Sequence, residues 1–145
     1  MNKEEYSKLL DKAAMICIKK HTGQRDKAES AYFQHPMRVA LRCNSDDEKL
    51  VALLHDTIED TDVTPEYLLS EGFPQYIVDA ILSVTMRNGE SYMDFVARAK
   101  QNPLGRNIKL YDIEDNLNVL RLNEVTSETA ERLNKYLAAR RFLLE

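Results

Sequence analysis

The run Leu50-Val51-Ala52-Leu53-Leu54 is apolar on every face of a helix, and a polar pair, His55-Asp56, follows it directly. A helix that is apolar all round has no side to offer water, so it must lie in the middle of its fold. An imidazole and a carboxylate delivered to such a place are costly unless something pairs with them. A divalent metal ion supplies that partner, and the pair is the first sign of an enzyme. This one segment demands a layer of other elements around it, and the rest of the chain reads as that layer.

Apolar residues elsewhere recur at helical spacing, and strand patterns are hard to find. A first helix is predicted from Lys3 to Lys20, with Tyr6, Leu9, Leu10, Ala13, Ile16 and Cys17 on its inner face. A polar loop follows from His21 to Ala31. Pro36 suits the first turn of a second helix that holds Met37, Val39, Ala40 and Leu41. Ser45 with Glu48 forms a capping box that opens the buried helix. Thr64-Pro65-Glu66 starts a short helix ended by Gly72, and another begins near Pro74 with a stripe of Ile77, Ala80, Ile81 and Val84. Asn88-Gly89 marks a turn, and Ser91 with Asp94 caps the next helix. Pro103 opens a long helix whose seam is predicted as Leu110, Ile113, Leu117 and Leu120. The last helix, Thr126 to Leu144, is predicted to turn Ala130, Leu133, Leu137 and Leu144 inward. The methionines Met15, Met37, Met86 and Met93 read as core fillers. The expected fold is a single all-α helical bundle over residues 1–145.

Composition narrows the function. With 43% apolar residues, 4 Gly and 4 Pro, the chain suits a compact helical domain. A net charge of −4 argues against general binding to DNA, RNA duplexes or membrane surfaces. No run approaches the length of a membrane span, and the charged N-terminus lacks a signal peptide's apolar core. Cys17 and Cys43 are read as reduced, buried thiols of a cytoplasmic protein. Apolar side chains on the last helix either complete the core or face a second copy in a homo-oligomer.

His35 precedes Pro36 at the start of one helix, and His55 ends the next, so antiparallel packing brings them together. Asp112 lies among Leu110, Tyr111 and Ile113 on the long helix and is a third candidate beside Asp56. Two imidazoles and two carboxylates suit Mn²⁺, Fe²⁺ or Zn²⁺. On a continuing helix, Glu59 would stand one turn beyond His55 and Asp60 one turn beyond Asp56. Acids placed there suit a base that deprotonates or orients a water.

Taken in order, these residues resemble the HD-domain metal phosphohydrolases, and within them the RelA/SpoT-type (p)ppGpp hydrolases. The matching segments begin with His21-Thr22-Gly23-Gln24, Asp26-Lys27-Ala28 and Tyr32-Phe33-Gln34-His35-Pro36. They continue through Leu54-His55-Asp56-Thr57-Ile58-Glu59-Asp60-Thr61, Val84-Thr85, Lys109-Leu110-Tyr111-Asp112 and Asp115-Asn116. The stretch from Gly89 to Tyr92 and the Asn102-Pro103 junction look like the short, stand-alone bacterial members. The resemblance implies an all-α fold, with His35, His55, Asp56 and Asp112 as metal ligands and Mn²⁺ as the usual ion. It places Glu59 and Asp60 on the catalytic pair and Asn116 near the nucleotide. Arg25, Lys27, Arg38, Arg87 and Lys109 are the candidate cations for holding such a substrate. The implied reaction removes the 3′-pyrophosphate of (p)ppGpp. Asp26 stands where an Arg that helps hold the base is usual, and Glu29 and Ala31 replace a Gly and a Pro. These departures bear on loop shape and on which base is bound. They keep open two alternatives: hydrolysis of another nucleotide or phosphate ester, and a catalytically silent nucleotide-binding module.

Overall fold

In a computed structural model describing residues 1–145, the chain is built from helices α1 (Lys3–Lys20), α2 (Gln34–Leu41), α3 (Asp46–Leu54), α4 (Thr57–Asp60) and α5 (Pro65–Ser70). They continue with α6 (Gln75–Ser83), α7 (Tyr92–Lys100), α8 (Pro103–Asn116) and α9 (Ser127–Leu144), with a 3₁₀ turn at Val119–Arg121. Extended pairing is confined to one isolated bridge, Arg25 with Ala31. The all-α expectation holds. No helix is long and apolar enough to cross a membrane.

Local chemistry explains most helix starts. The Asn2, Ser45, Thr64, Ser91, Asn102 and Thr126 side chains each accept a backbone N–H at the head of the following helix. Pro65 and Pro103 occupy the first turns of α5 and α8, where a missing N–H costs nothing. Gly72 ends α5 with φ of 98°, a left-handed conformation open to a residue without Cβ.

The α3 helix lies at the centre, packed against α1, α2, α6 and α8. Leu50, Val51, Ala52 and Leu54 are wholly buried there, with Ala13, Val39, Ile77, Ile81 and Ile108 among their neighbours in the main core. A smaller cluster of Val96, Ile113, Ala139 and Leu143 ties α7, α8 and α9 together.

Two helices present a different face from the one their leucines suggest. Only Ile113 of the predicted α8 seam is buried; Leu110 and Leu117 are half-buried, and Leu120 is 90% exposed beyond the helix end. The inward stripe of α8 is instead Gly105, Ile108, Lys109, Asp112, Ile113 and Asp115. On α9 the buried residues are Thr129, Ala139 and Leu143, whereas Ala130, Leu137 and Leu144 are exposed. Leu41 and Met15 are also solvent-facing, at 86% and 71% exposure, as are Met86 and Met93. The α8 reversal has a physical cause: polar groups with partners inside the molecule can be buried, and leucines then take the outer positions.

Candidate metal centre

Helices α2, α3 and α8 and the turn from α3 into α4 meet at one point beside the core. His35 is the second residue of α2, His55 closes α3, Asp56 begins the turn into α4, and Asp112 projects inward from α8. Ligand atoms of His35, His55 and Asp56 all lie within 4.8 Å of one another. Asp112 Oδ1 stands 2.8 Å from His35 Nε2 and 3.5 Å from His55 Nε2, so all four sequence candidates converge. The helix does not continue unbroken through the His-Asp pair: α3 stops at Leu54 and α4 restarts at Thr57. Asp60 keeps its one-turn relation to Asp56 through a 3.0 Å backbone hydrogen bond. Glu59 turns away, and its Oε1 accepts the Met86 backbone N–H at 2.7 Å.

The two rings are held by their outer nitrogens. His55 Nδ1 donates to the Ala52 carbonyl at 2.6 Å, which sets the tautomer and aims Nε2 at the cluster. That Nε2 is buried without an aligned hydrogen-bond partner; Asp56 Oδ2 is 3.1 Å away but out of line. His35 donates Nε2–H to Asp112 and Nδ1–H to Asp115 Oδ2 at 2.6 Å. Burial alone pushes the His35 pKa down, yet the Asp112 and Asp115 hydrogen bonds outweigh it and raise it to about 9. His55 moves the same way: burial opposes its charge, but Asp56 and Asp112 carry it well above its ordinary value. Against burial, which favours their neutral forms, neighbouring cations keep Asp56 and Asp112 ionised, His55 foremost for Asp56 and Lys109 for Asp112. Asp60 differs: burial and the charges of Asp56 and Glu59 raise its pKa to about 6.

This donor set fits a divalent transition ion. Imidazole nitrogens and carboxylates are joined within ligand reach, and one buried imidazole nitrogen is orphaned.

Beside the cluster opens a cavity of about 540 Å³, with His35 and Tyr32 on its wall. Of the candidate substrate contacts, Arg25, Lys27, Arg38 and Asn116 line it. Arg87 and Lys109 do not: Lys109 is buried, bonds Asp112 Oδ2 at 2.9 Å and lies 4.5 Å from the Phe95 ring centre. Asn116 Nδ2 also reaches Asp112 Oδ1, at 3.2 Å. The loop before α2 keeps its turn despite Glu29, which takes a left-handed φ of 67°. Asp26 Oδ1 supports that turn by accepting the N–H groups of Ala28 and Ser30, both at 2.9 Å.

Comparison with known proteins decides the family. The guanosine-3′,5′-bis(diphosphate) 3′-pyrophosphohydrolase of Drosophila melanogaster is 32% identical over 130 residues, covering 81% of this chain and 72% of that protein. The chain belongs to this pyrophosphohydrolase family. The Aquifex aeolicus member is 30% identical over 128 residues, or 80% of this chain, and a probable member from Mycoplasma pneumoniae is 33% identical over 135 residues, or 87%. Against these two bacterial relatives the chain spans only 18% and 17% of their length. A solved structure described as a metazoan ortholog of SpoT that hydrolyzes ppGpp shares the fold, with a TM-score of 0.71 and 24% identity. The alignment covers 100% of this chain and 88% of that one. No protein-family model matches the chain.

In this member of the family, further side chains around the ligands tie the site together. Tyr32 donates its hydroxyl to Asp56 Oδ2 at 2.5 Å; burial and the Asp56 charge push its pKa far up, so the hydroxyl stays protonated. His21 and Gln24 fix the loop: His21 Nδ1 pairs with Gln24 Oε1, and Gln24 Nε2 donates to the Asp60 carbonyl. Asp115, next to Asn116 in sequence, contacts His35, Arg38 and Arg121 at once. The spacing Asp112-x-x-Asp115 on one helix face was the available signal.

Proposed function

We propose that this chain is a metal-dependent 3′-pyrophosphohydrolase of guanosine bis(diphosphates), (p)ppGpp or a close relative, working with Mn²⁺. One observation carries the reading: His35 belongs both to the convergent His35-His55-Asp56-Asp112 cluster and to the wall of the basic cavity. A nucleotide seated in that cavity presents its phosphates to the cluster. His35, His55, Asp56 and Asp112 would hold the ion. Bound there, it supplies a Lewis acid that neutralises charge developing on phosphoryl oxygens.

The chain's own residues do the rest. Asp60, with a pKa near 6, is ionised at neutral pH yet basic enough to take a proton from an attacking water. Glu59, tied to the Met86 backbone, fixes α4 against the segment after α6 and keeps Asp60 in register. Arg25 and Lys27 on the loop, with Arg132 of α9, give the cavity cations to attract phosphate groups. Asn116 offers amide hydrogen-bonding groups at the boundary between cavity and cluster. The buried free thiols Cys17 and Cys43 suit a reducing compartment such as the cytoplasm.

The test is a Mn²⁺-supplemented nucleotide panel resolved by chromatography. Release of pyrophosphate from ppGpp is the expected result, and tight nucleotide binding without turnover under every divalent ion refutes the reading. A second reading, hydrolysis of a nucleotide with another base, is favoured by the acids Asp26 and Glu29 on the cavity wall. Comparing kcat/KM across the panel separates the two.

A further inference from the structure

The carboxylate of Asp115 takes no part in the reaction proposed above, yet it is 93% shielded and surrounded by donors. Its residue retains only 7% exposure. Oδ2 accepts His35 Nδ1–H at 2.6 Å; Arg38 bonds both oxygens through Nε at 2.9 Å and Nη2 at 3.0 Å. Arg121 adds a 3.4 Å contact to Oδ1. We propose that Asp115 is a positioning residue: it holds the His35 ring so that Nε2 faces the metal cluster, and Arg38 and Arg121 hold Asp115 in turn. The inference rests on the metal-dependent reading of the site.

A ligating ring must offer one nitrogen's lone pair, and a hydrogen bond from the other nitrogen fixes both tautomer and ring rotation. His55 obtains this bond from its own helix, through the Ala52 carbonyl. His35 lies in the first turn of α2, and no backbone carbonyl serves its Nδ1; the acceptor comes from α8 instead. Asp112 and Asp115 are three apart on α8, and His35 and Arg38 are three apart on α2, so each pair shares a helix face. One helix therefore supplies a ligand together with the group that orients a second ligand. The opposite helix supplies that second ligand together with the arginine that steadies its orienter.

Arg38 and Arg121 both line the cavity, but their bonds to Asp115 commit them inward. Guanidinium groups beside a cation site would by charge alone weaken metal binding. Acting through Asp115 they strengthen it, and this opposition of sign makes the proposal testable.

Mn²⁺ is titrated calorimetrically into the metal-free full chain, alongside thermal unfolding of the same metal-free samples. Asp115→Ala is expected to weaken Mn²⁺ binding roughly 10- to 100-fold. Asp115→Asn, which keeps an acceptor oxygen, should lose less and guards against a misfolded alanine variant. Arg38→Met should weaken binding severalfold while Asp115 is present and should not weaken it in the Asp115→Ala background. Unchanged Mn²⁺ affinity in both Asp115 variants, with only the metal-free Tm lowered, makes the residue a helix-to-helix ion pair and overturns the proposal. Weaker binding on removing Arg38 in both backgrounds overturns the route through Asp115. A wild-type chain that binds no divalent ion sinks the metal reading itself.

Discussion

Gly105 lies in the first turn of α8 where that helix crosses α6, and replacing it with alanine sets two effects against each other. In a helix, alanine is favoured over glycine by roughly 1 kcal/mol. Here, however, an added Cβ falls 2.0 Å from Ser83 Oγ, 3.2 Å from Ser83 Cβ and 3.3 Å from Asn102 Cβ. Ser83 can swing its hydroxyl aside only by giving up its 2.6 Å bond to the Ala80 carbonyl in a buried position. An unpaired buried hydroxyl costs roughly 1–3 kcal/mol. The remaining Cβ contacts add overpacking of roughly 1–3 kcal/mol. The net expectation for Gly105→Ala is destabilisation by about 1–5 kcal/mol, the sum less the propensity gain. At about 3 °C per kcal/mol for a chain of this length, the Tm should fall by roughly 3–15 °C. Circular dichroism melts and urea titrations read this directly. Adding Ser83→Ala removes the nearest clash, so the double variant should recover about 1–2 kcal/mol of coupling. A single variant as stable as wild type, or more so, would show that α8 has room to move and would refute the packing argument.

Four further outcomes follow from the site and its surroundings. In the metal-free protein His35 titrates near 9 and His55 is raised too, so metal uptake at pH 7 must release protons and affinity should climb with pH towards 9. Calorimetry in buffers of different ionisation enthalpy measures that release; uptake with no proton release contradicts it. The same raised values stabilise the metal-free fold below the unfolded histidine pKa of about 6.5 and lose that contribution as pH rises through 9, whereas a metal-loaded sample should hold its Tm over the interval. Asp60→Asn should lower kcat by roughly 10²- to 10⁴-fold while Mn²⁺ affinity stays near wild type, because Asp60 stands outside the ligand group; an unchanged kcat would remove it from the proton transfer. Arg98→Ala strips bonds to Glu90 and to the Leu82 and Thr85 carbonyls, and chemical denaturation should show a loss of about 2–4 kcal/mol.

Much of this was legible in local sequence. Helix starts at Ser45, Thr64, Ser91 and Pro103 were readable because a cap and the N–H it satisfies lie within four residues of each other. The central place of α3 was readable because Leu50 to Leu54 leave it no polar face. His35 and His55 could be brought together on paper since their helices are consecutive and joined by a short turn. The faces of α8 and α9 could not be read this way. A hydrophobicity pattern assumes that polar residues face water, and α8 violates it by burying Lys109, Asp112 and Asp115.

Those three residues mark the boundary between the two kinds of information. By itself, the chain's order of residues determined an all-helical fold wrapped around α3 and a His-Asp pair that must have a partner. Only the tertiary structure decided that Lys109 steadies Asp112 beneath the site rather than lining the cavity, and that Asp115 reaches His35 from 80 residues away. Burying a charge is tolerable only beside its complement, and which complement lies within 3 Å depends on how helices dock, not on what any one of them contains.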